Sequence, residues 1–120
     1  MKEIQIKNSD VLRGLMSKRY DMVLIDIICT VAEKYGLTMT ESYRYPLHKG
    51  DLHSTDPVRA IDLRSRDYKP EVLCYEIEDE INRTWQYDTA RPGKNCAIIH
   101  KVSGGAYHFH IQVHMNTIKL

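Results

Sequence analysis

The fold of this chain turns on Tyr107-His108-Phe109-His110-Ile111-Gln112-Val113-His114-Met115. Apolar and polar residues alternate along it with a period of two, as in a β-strand whose side chains point to opposite faces of a sheet. Tyr107, Phe109, Ile111, Val113 and Met115 form one apolar face, suited to packing against helices. His108, His110, Gln112 and His114 form the other. A solvated strand face is the bland explanation, but Thr, Lys and Glu are its usual residues. Three imidazoles in alternating positions point instead to metal ligation or proton transfer. Four of the six histidines fall between positions 100 and 114.

Working back from that strand, Cys96–Val102 is a second strand-like run, and Ser103-Gly104-Gly105 before Ala106 is a hairpin signal. Arg59 to Arg64 alternates as well: Ile61 and Leu63 share one side, and Ala60, Asp62 and Arg64 the other. With Ile61 and Leu63 in the core, Asp62 faces the same way as the histidines. Leu37 to Ser42 reads as a further short strand, with Leu37 and Met39 inward. The apolar positions Leu12, Leu15, Met16, Val23, Leu24, Ile27, Ile28, Val31 and Tyr35 follow one helical face and predict a single long helix. Ser9 or Asp10 can cap its start, and Gly36 suits the position after its end. Pro70 fits the first position of a second helix carried by Leu73, Ile77 and Ile81 to about Trp85. Residues 45–58, rich in Gly, Pro, Asp and His, and 87–95, containing Arg91-Pro92-Gly93, read as loops. The expected fold class is α+β, with two helices on one face of a small, mainly antiparallel sheet and the opposite face left for function.

The chain has 120 residues, the usual size of one domain, so 1–120 is read as a single domain that needs no disulfides. Cys29, Cys74 and Cys96 are odd in number and lack a C-x-x-C pair, so they read as reduced thiols. A net charge of about +1 with interspersed acids and bases gives no basic stripe and no reason to propose a nucleic-acid partner. No apolar run approaches the ~20 residues of a membrane span, so no membrane insertion is expected. MKEIQIKNSD lacks the features of a secretory signal, which predicts cytoplasmic synthesis.

His53, on the loop before Arg59, lies within reach of the face that carries Asp62 and the histidines. Two imidazoles and one carboxylate, with a fourth position open to water, are the ligand set of a catalytic zinc site. Arg59 shares the parity of Ile61 and is suited to anchoring the loop; His114 is suited to a supporting or solvent-exposed place; His100 approaches the site only in one strand register; His48 is a loop residue. Tyr87-Asp88 and Arg91-Pro92 read as a structured loop bordering a cleft, and Trp85 as packing.

His53, then Arg59-Ala60-Ile61-Asp62-Leu63, then His108-Phe109-His110 together resemble the metallopeptidases related to D-alanyl-D-alanine carboxypeptidases, lysostaphin and hedgehog, in particular the M15-like peptidases of bacteriophages and prophages. Thr40-Glu41-Ser42-Tyr43-Arg44 resembles the Thr-Ser-Gly-Tyr-Arg strand end of that family. The resemblance runs from about Thr40 to Val113 through a dozen positions. It implies a hedgehog-like fold, His53, Asp62 and His110 as ligands of a zinc ion, and His108 as general base or transition-state stabiliser. It also implies that Arg44 polarises the scissile carbonyl of a peptidoglycan peptide, and that the protein is released by phage lysis or carried in a virion. Three departures stand out: nine positions from His53 to Asp62 where seven is common, Asp51 where a Ser is often found, and Tyr107 where many members carry Glu, Asp or His. The longer spacing predicts a two-residue bulge around Thr55-Asp56-Pro57. Tyr107 keeps open a non-catalytic, metal-binding domain of the same fold. A third reading is a histidine-triad nucleotide hydrolase, because His108-Phe109-His110-Ile111-Gln112-Val113 also fits that pattern, with His110 as nucleophile and no metal.

Overall fold

In the computed structural model, which describes residues 2–101 and 107–120, the elements in chain order are β1 (Ile4–Ile6), α1 (Ser9–Ser17), α2 (Met22–Tyr35), β2 (Leu37–Glu41), β3 (Ala60–Arg64), α3 (Glu71–Thr84), β4 (Trp85–Gln86), β5 (Ala97–Lys101), β6 (Tyr107–Gln112) and β7 (Ile118–Lys119). The main sheet has the order β1-β2-β3-β6-β5, antiparallel except for the β1–β2 pair. β4 and β7 pair separately as a short ribbon. The protein is therefore α+β with a mainly antiparallel sheet. The predicted turn Ser103-Gly104-Gly105 lies outside the described residues, but β5 and β6 pair antiparallel on either side of it.

One apolar layer joins the helices to the sheet: Leu24, Ile27, Ile28 and Val31 of α2, with Cys74, Ile77 and Ile81 of α3, pack with Leu37, Met39, Ile61, Leu63, Phe109 and Ile111. Fully burying such a side chain contributes about 1.5–3 kcal/mol, so this layer dominates the fold's stability. Tyr107 and Met115, assigned to the same apolar face, lie exposed at its two ends, while Phe109, Ile111 and Val113 are completely buried.

The single long helix is corrected to two. Asp21 accepts hydrogen bonds from the Val23 and Leu24 amides and so starts α2 afresh. Between the helices, the chain around Tyr20 runs extended beside Val58: the Val58 amide donates to Arg19 O, and the Asp21 amide donates to Val58 O. The cap of α1 is Asn8, whose side chain accepts from the Val11 amide, rather than Ser9 or Asp10. Val11 and Gly14 are the buried residues of α1, whereas Leu12 and Met16 are exposed. Gly36 ends α2 at φ 74°, where a side chain would be strained. Pro70 stands one position before α3. No helix among the described residues is long and apolar enough to cross a membrane.

Candidate metal centre

Register places the first two groups. Asp62 and His110 are Cα partners across β3 and β6, so their side chains leave the sheet on the same face. The contact is direct: His110 Nδ1 lies 2.7 Å from Asp62 Oδ1. Gln112 fixes the other side of the ring. Its Nε2 donates to Asn95 O, which turns Oε1 towards His110 Nε2 at 3.2 Å. His110 Nε2 therefore donates to Gln112, and Nδ1 is the atom offered to Asp62.

His53 reaches the same point from the loop. It sits in a single 3-10 turn, Leu52–Ser54, whose start is capped by Asp51: the His53 amide donates to Asp51 Oδ1. His53 Nδ1 donates to the carbonyl of Ser42 at 2.9 Å, so a neutral ring carries its lone pair on Nε2. That nitrogen lies 3.3 Å from Asp62 Oδ1 without hydrogen-bond geometry, and it is buried with no hydrogen-bond partner. His53 itself is 1% exposed. An unsatisfied buried polar atom costs about 1–3 kcal/mol, so a lone pair facing a carboxylate in this pocket calls for a cation between them.

The donor set fits a metal ion. One nitrogen each from His53 and His110 and one oxygen of Asp62 all lie within 4.8 Å of one another. Donors around a tetrahedral ion at about 2.0–2.2 Å lie roughly 3.3–3.5 Å apart, so small rotations of the rings would admit one. Each imidazole already donates its second nitrogen to an oxygen, Ser42 O or Gln112 Oε1, the arrangement that orients a metal-binding histidine. Burial pushes the Asp62 carboxyl upwards, but the imidazoles of His110 and His53 pressed against its oxygen outweigh burial; the net shift is strongly downwards and keeps it ionised.

Arg44 is braced beside this cluster. Its Nε and Nη2 donate to the two oxygens of buried Asp51, at 3.1 and 3.3 Å, and its Nη1 lies 3.6 Å from Glu41 Oε2. Glu41 is in turn the Cα partner of Asp62, brought opposite it by a shift of register after Met39. The Arg44 amide donates to His53 O, and the Ser54 hydroxyl donates to Arg44 O, so Arg44 and the His53 turn are one unit. Burial raises the Asp51 carboxyl, but the Arg44 guanidinium and the amides of Leu47 and His53 outweigh that effect and hold it at about 2.

His108 stands one two-residue step, roughly 7 Å, along β6 from His110. Its Cα partners are Arg64 and His100, and its ring lies 6.0 Å from that of His100. His100 is thus in the register that brings it to the histidine face, 6.1 Å from His110. Partial burial and the neighbouring His110 and His108 push its pKa down, against the opposite pull of Asp62. His114 does not continue the row: β6 ends at Gln112, and the His114 ring meets Tyr87 and Asp88 instead. Arg59 anchors the His53 loop through its backbone, donating to Leu52 O and accepting from the Val113 amide. Around the extra residues of that loop, the Thr55 hydroxyl is placed between Leu52 O and Pro57 O, and Arg19 pairs with Asp56. His48 lies exposed on its loop; Asp88 pairs with Arg91, and Trp85 and Tyr87 are core residues.

Asp51, which holds Arg44 and caps the His53 turn, is the residue whose place spacing alone did not disclose. The available signal was an aspartate two residues before the loop histidine, a natural cap for a short turn. No protein-family model, no curated protein and no solved structure matches the chain, so the site is read from its own geometry.

Proposed function

We propose that the chain is an M15-like, zinc-dependent peptidase with a hedgehog-like fold, hydrolysing a peptide bond of bacterial peptidoglycan in a phage-associated setting. The observation that carries this reading is the convergence of His53, Asp62 and His110 around a buried, unpartnered imidazole nitrogen. The resemblance of His53, Ala60-Ile61-Asp62 and His108-Phe109-His110 to that family supports the choice of reaction. A zinc ion, when bound by these three residues, supplies a water of pKa roughly 7 and polarises a carbonyl. His108 takes the proton as the C–O bond forms and returns it to the leaving amine as the C–N bond breaks. Arg44, held by Asp51, donates to the carbonyl oxygen as negative charge develops there.

The test is release of free amino groups from purified peptidoglycan by the zinc-loaded protein. Wild type is expected to release them, Asp62→Ala to release none, and His108→Ala to be slower by about 10²–10⁴. A zinc-loaded wild type that leaves peptidoglycan intact overturns the peptidase reading. It would favour instead a non-catalytic metal-binding domain, a second reading supported by the pairing of His108 with His100 and by Tyr107 at the exposed end of β6. The histidine-triad alternative sits poorly with His110, whose two ring nitrogens face Asp62 and Gln112.

A further inference from the structure

The histidine face holds more imidazole than one metal ion uses. His100 and His108 are Cα partners on adjacent antiparallel strands, with ring centroids 6.0 Å apart and ring planes at 44°. Two imidazoles sharing an ion at about 2.0–2.1 Å carry their centroids roughly 5–6 Å apart. His53 and His110, the pair of the first centre, stand at 5.3 Å. Among the described residues, no hydrogen bond engages the His100 or His108 ring. His100 is exposed and His108 half-buried, which gives an ion access from solvent and room for water in its remaining positions.

We propose that His100 and His108 form a second site for a divalent transition metal that favours imidazole, zinc among them, beside the centre built on Asp62. It is the weaker of the two for two reasons. It has two protein donors and no carboxylate, and Arg64, the partner of His108 on β3, brings a positive charge to its border. One consequence rests on the peptidase reading above: an ion here occupies the lone pair with which His108 accepts a proton, so excess zinc shuts off hydrolysis.

Calorimetric titration of the metal-stripped protein with zinc chloride tests the site. Wild type is expected to bind one ion tightly and a second at least about tenfold more weakly. His100→Ala keeps the tight class and loses the weak one, while Asp62→Ala loses the tight class and keeps the weak one. The exposed position of His100 makes its variant a mild change to the fold, and an unchanged melting curve checks this. A single binding class in wild type, or a weak class that survives both His100→Ala and His108→Ala, overturns the proposal. Hydrolysis measured along the same titration separates the two readings. Inhibition on filling of the weak class in wild type but not in His100→Ala supports both. Two bound ions without inhibition leave the site standing and remove His108 from the reaction, and two binding classes without hydrolysis at any zinc level remove the peptidase reading alone.

Discussion

Asp51 joins two things that the site needs. One carboxylate oxygen caps the turn that carries His53, and both oxygens hold the Arg44 guanidinium. Its folded pKa, about 2, lies below the ordinary 3.8, so the folded state binds the proton less well than the unfolded state. The stabilisation is therefore fully present above about pH 4 and is lost as pH falls through the interval from 3.8 towards 2. Asp51→Asn is expected to lower unfolding free energy by about 2 kcal/mol at pH 7 and to flatten the pH dependence between 4 and 2, as read by urea denaturation of the metal-free protein. An unchanged slope in that interval would show that Asp51 does not bear this charge. Gln112 works at the same scale: Gln112→Ala frees the His110 ring and is expected to weaken metal binding about 10–100-fold without unfolding the protein, measured by competition with a chromophoric chelator. Parity along two strands was enough to bring Asp62 and His110 to one face, because side-chain direction in a strand follows from sequence position alone. The hydrogen bonds from His53 to Ser42 O and from Gln112 to Asn95 O depend on how loops return to the sheet, which no local pattern encodes.

Gly14 shows what an element contributes. A Cβ there would lie 2.2 Å from Ser42 Oγ and 2.9 Å from Tyr43 O, so α1 lies directly against the end of β2. Ser42 Oγ donates to Val11 O, and the Tyr20 hydroxyl donates to Gly14 O while accepting from the Tyr43 amide. The same Ser42 carbonyl holds the His53 tautomer, which couples helix packing to the candidate metal centre. Gly14→Ala is expected to lower unfolding free energy by about 1–3 kcal/mol through overpacking, and to weaken metal binding as well. A loss of stability with unaltered metal affinity would show that α1 and the site are independent. In sequence, Gly14 reads only as a weak point in a helix, since its value lies in a contact 28 positions away with Ser42. The break between α1 and α2 was hidden for a related reason. Both helices carry an apolar stripe in phase, and the extended pairing of Arg19 and Asp21 with Val58, with the Asp21 cap, separates them. β1, with three exposed residues, and the two-residue β4–β7 ribbon are too short for periodicity to mark.

Across the whole molecule, the helices bury one face of the sheet, and the other carries the histidines of β6 with Asp62 between them and the His53 loop. The division into a packed face and a face bearing the histidines was legible from alternation, and the α+β class from alternation together with the helical spacing of the apolar residues. An ion that binds only the folded site stabilises the fold by mass action, about 2.7 kcal/mol at a hundredfold excess over Kd. For a domain of this size that corresponds to a rise in Tm of roughly 10 °C on metal addition, reversed by chelation. Acidification should displace the ion, because its ligands bind it in their unprotonated forms. A melting temperature indifferent to metal and chelator would indicate that the cluster is satisfied by a proton. The most direct test of the metal centre is anomalous diffraction at the zinc edge from crystals of protein loaded with one equivalent of zinc. One strong peak is expected, bonded to His53 Nε2, Asp62 Oδ1 and His110 Nδ1; no peak there, or a peak held by other residues, would show that these three residues are not the ligands.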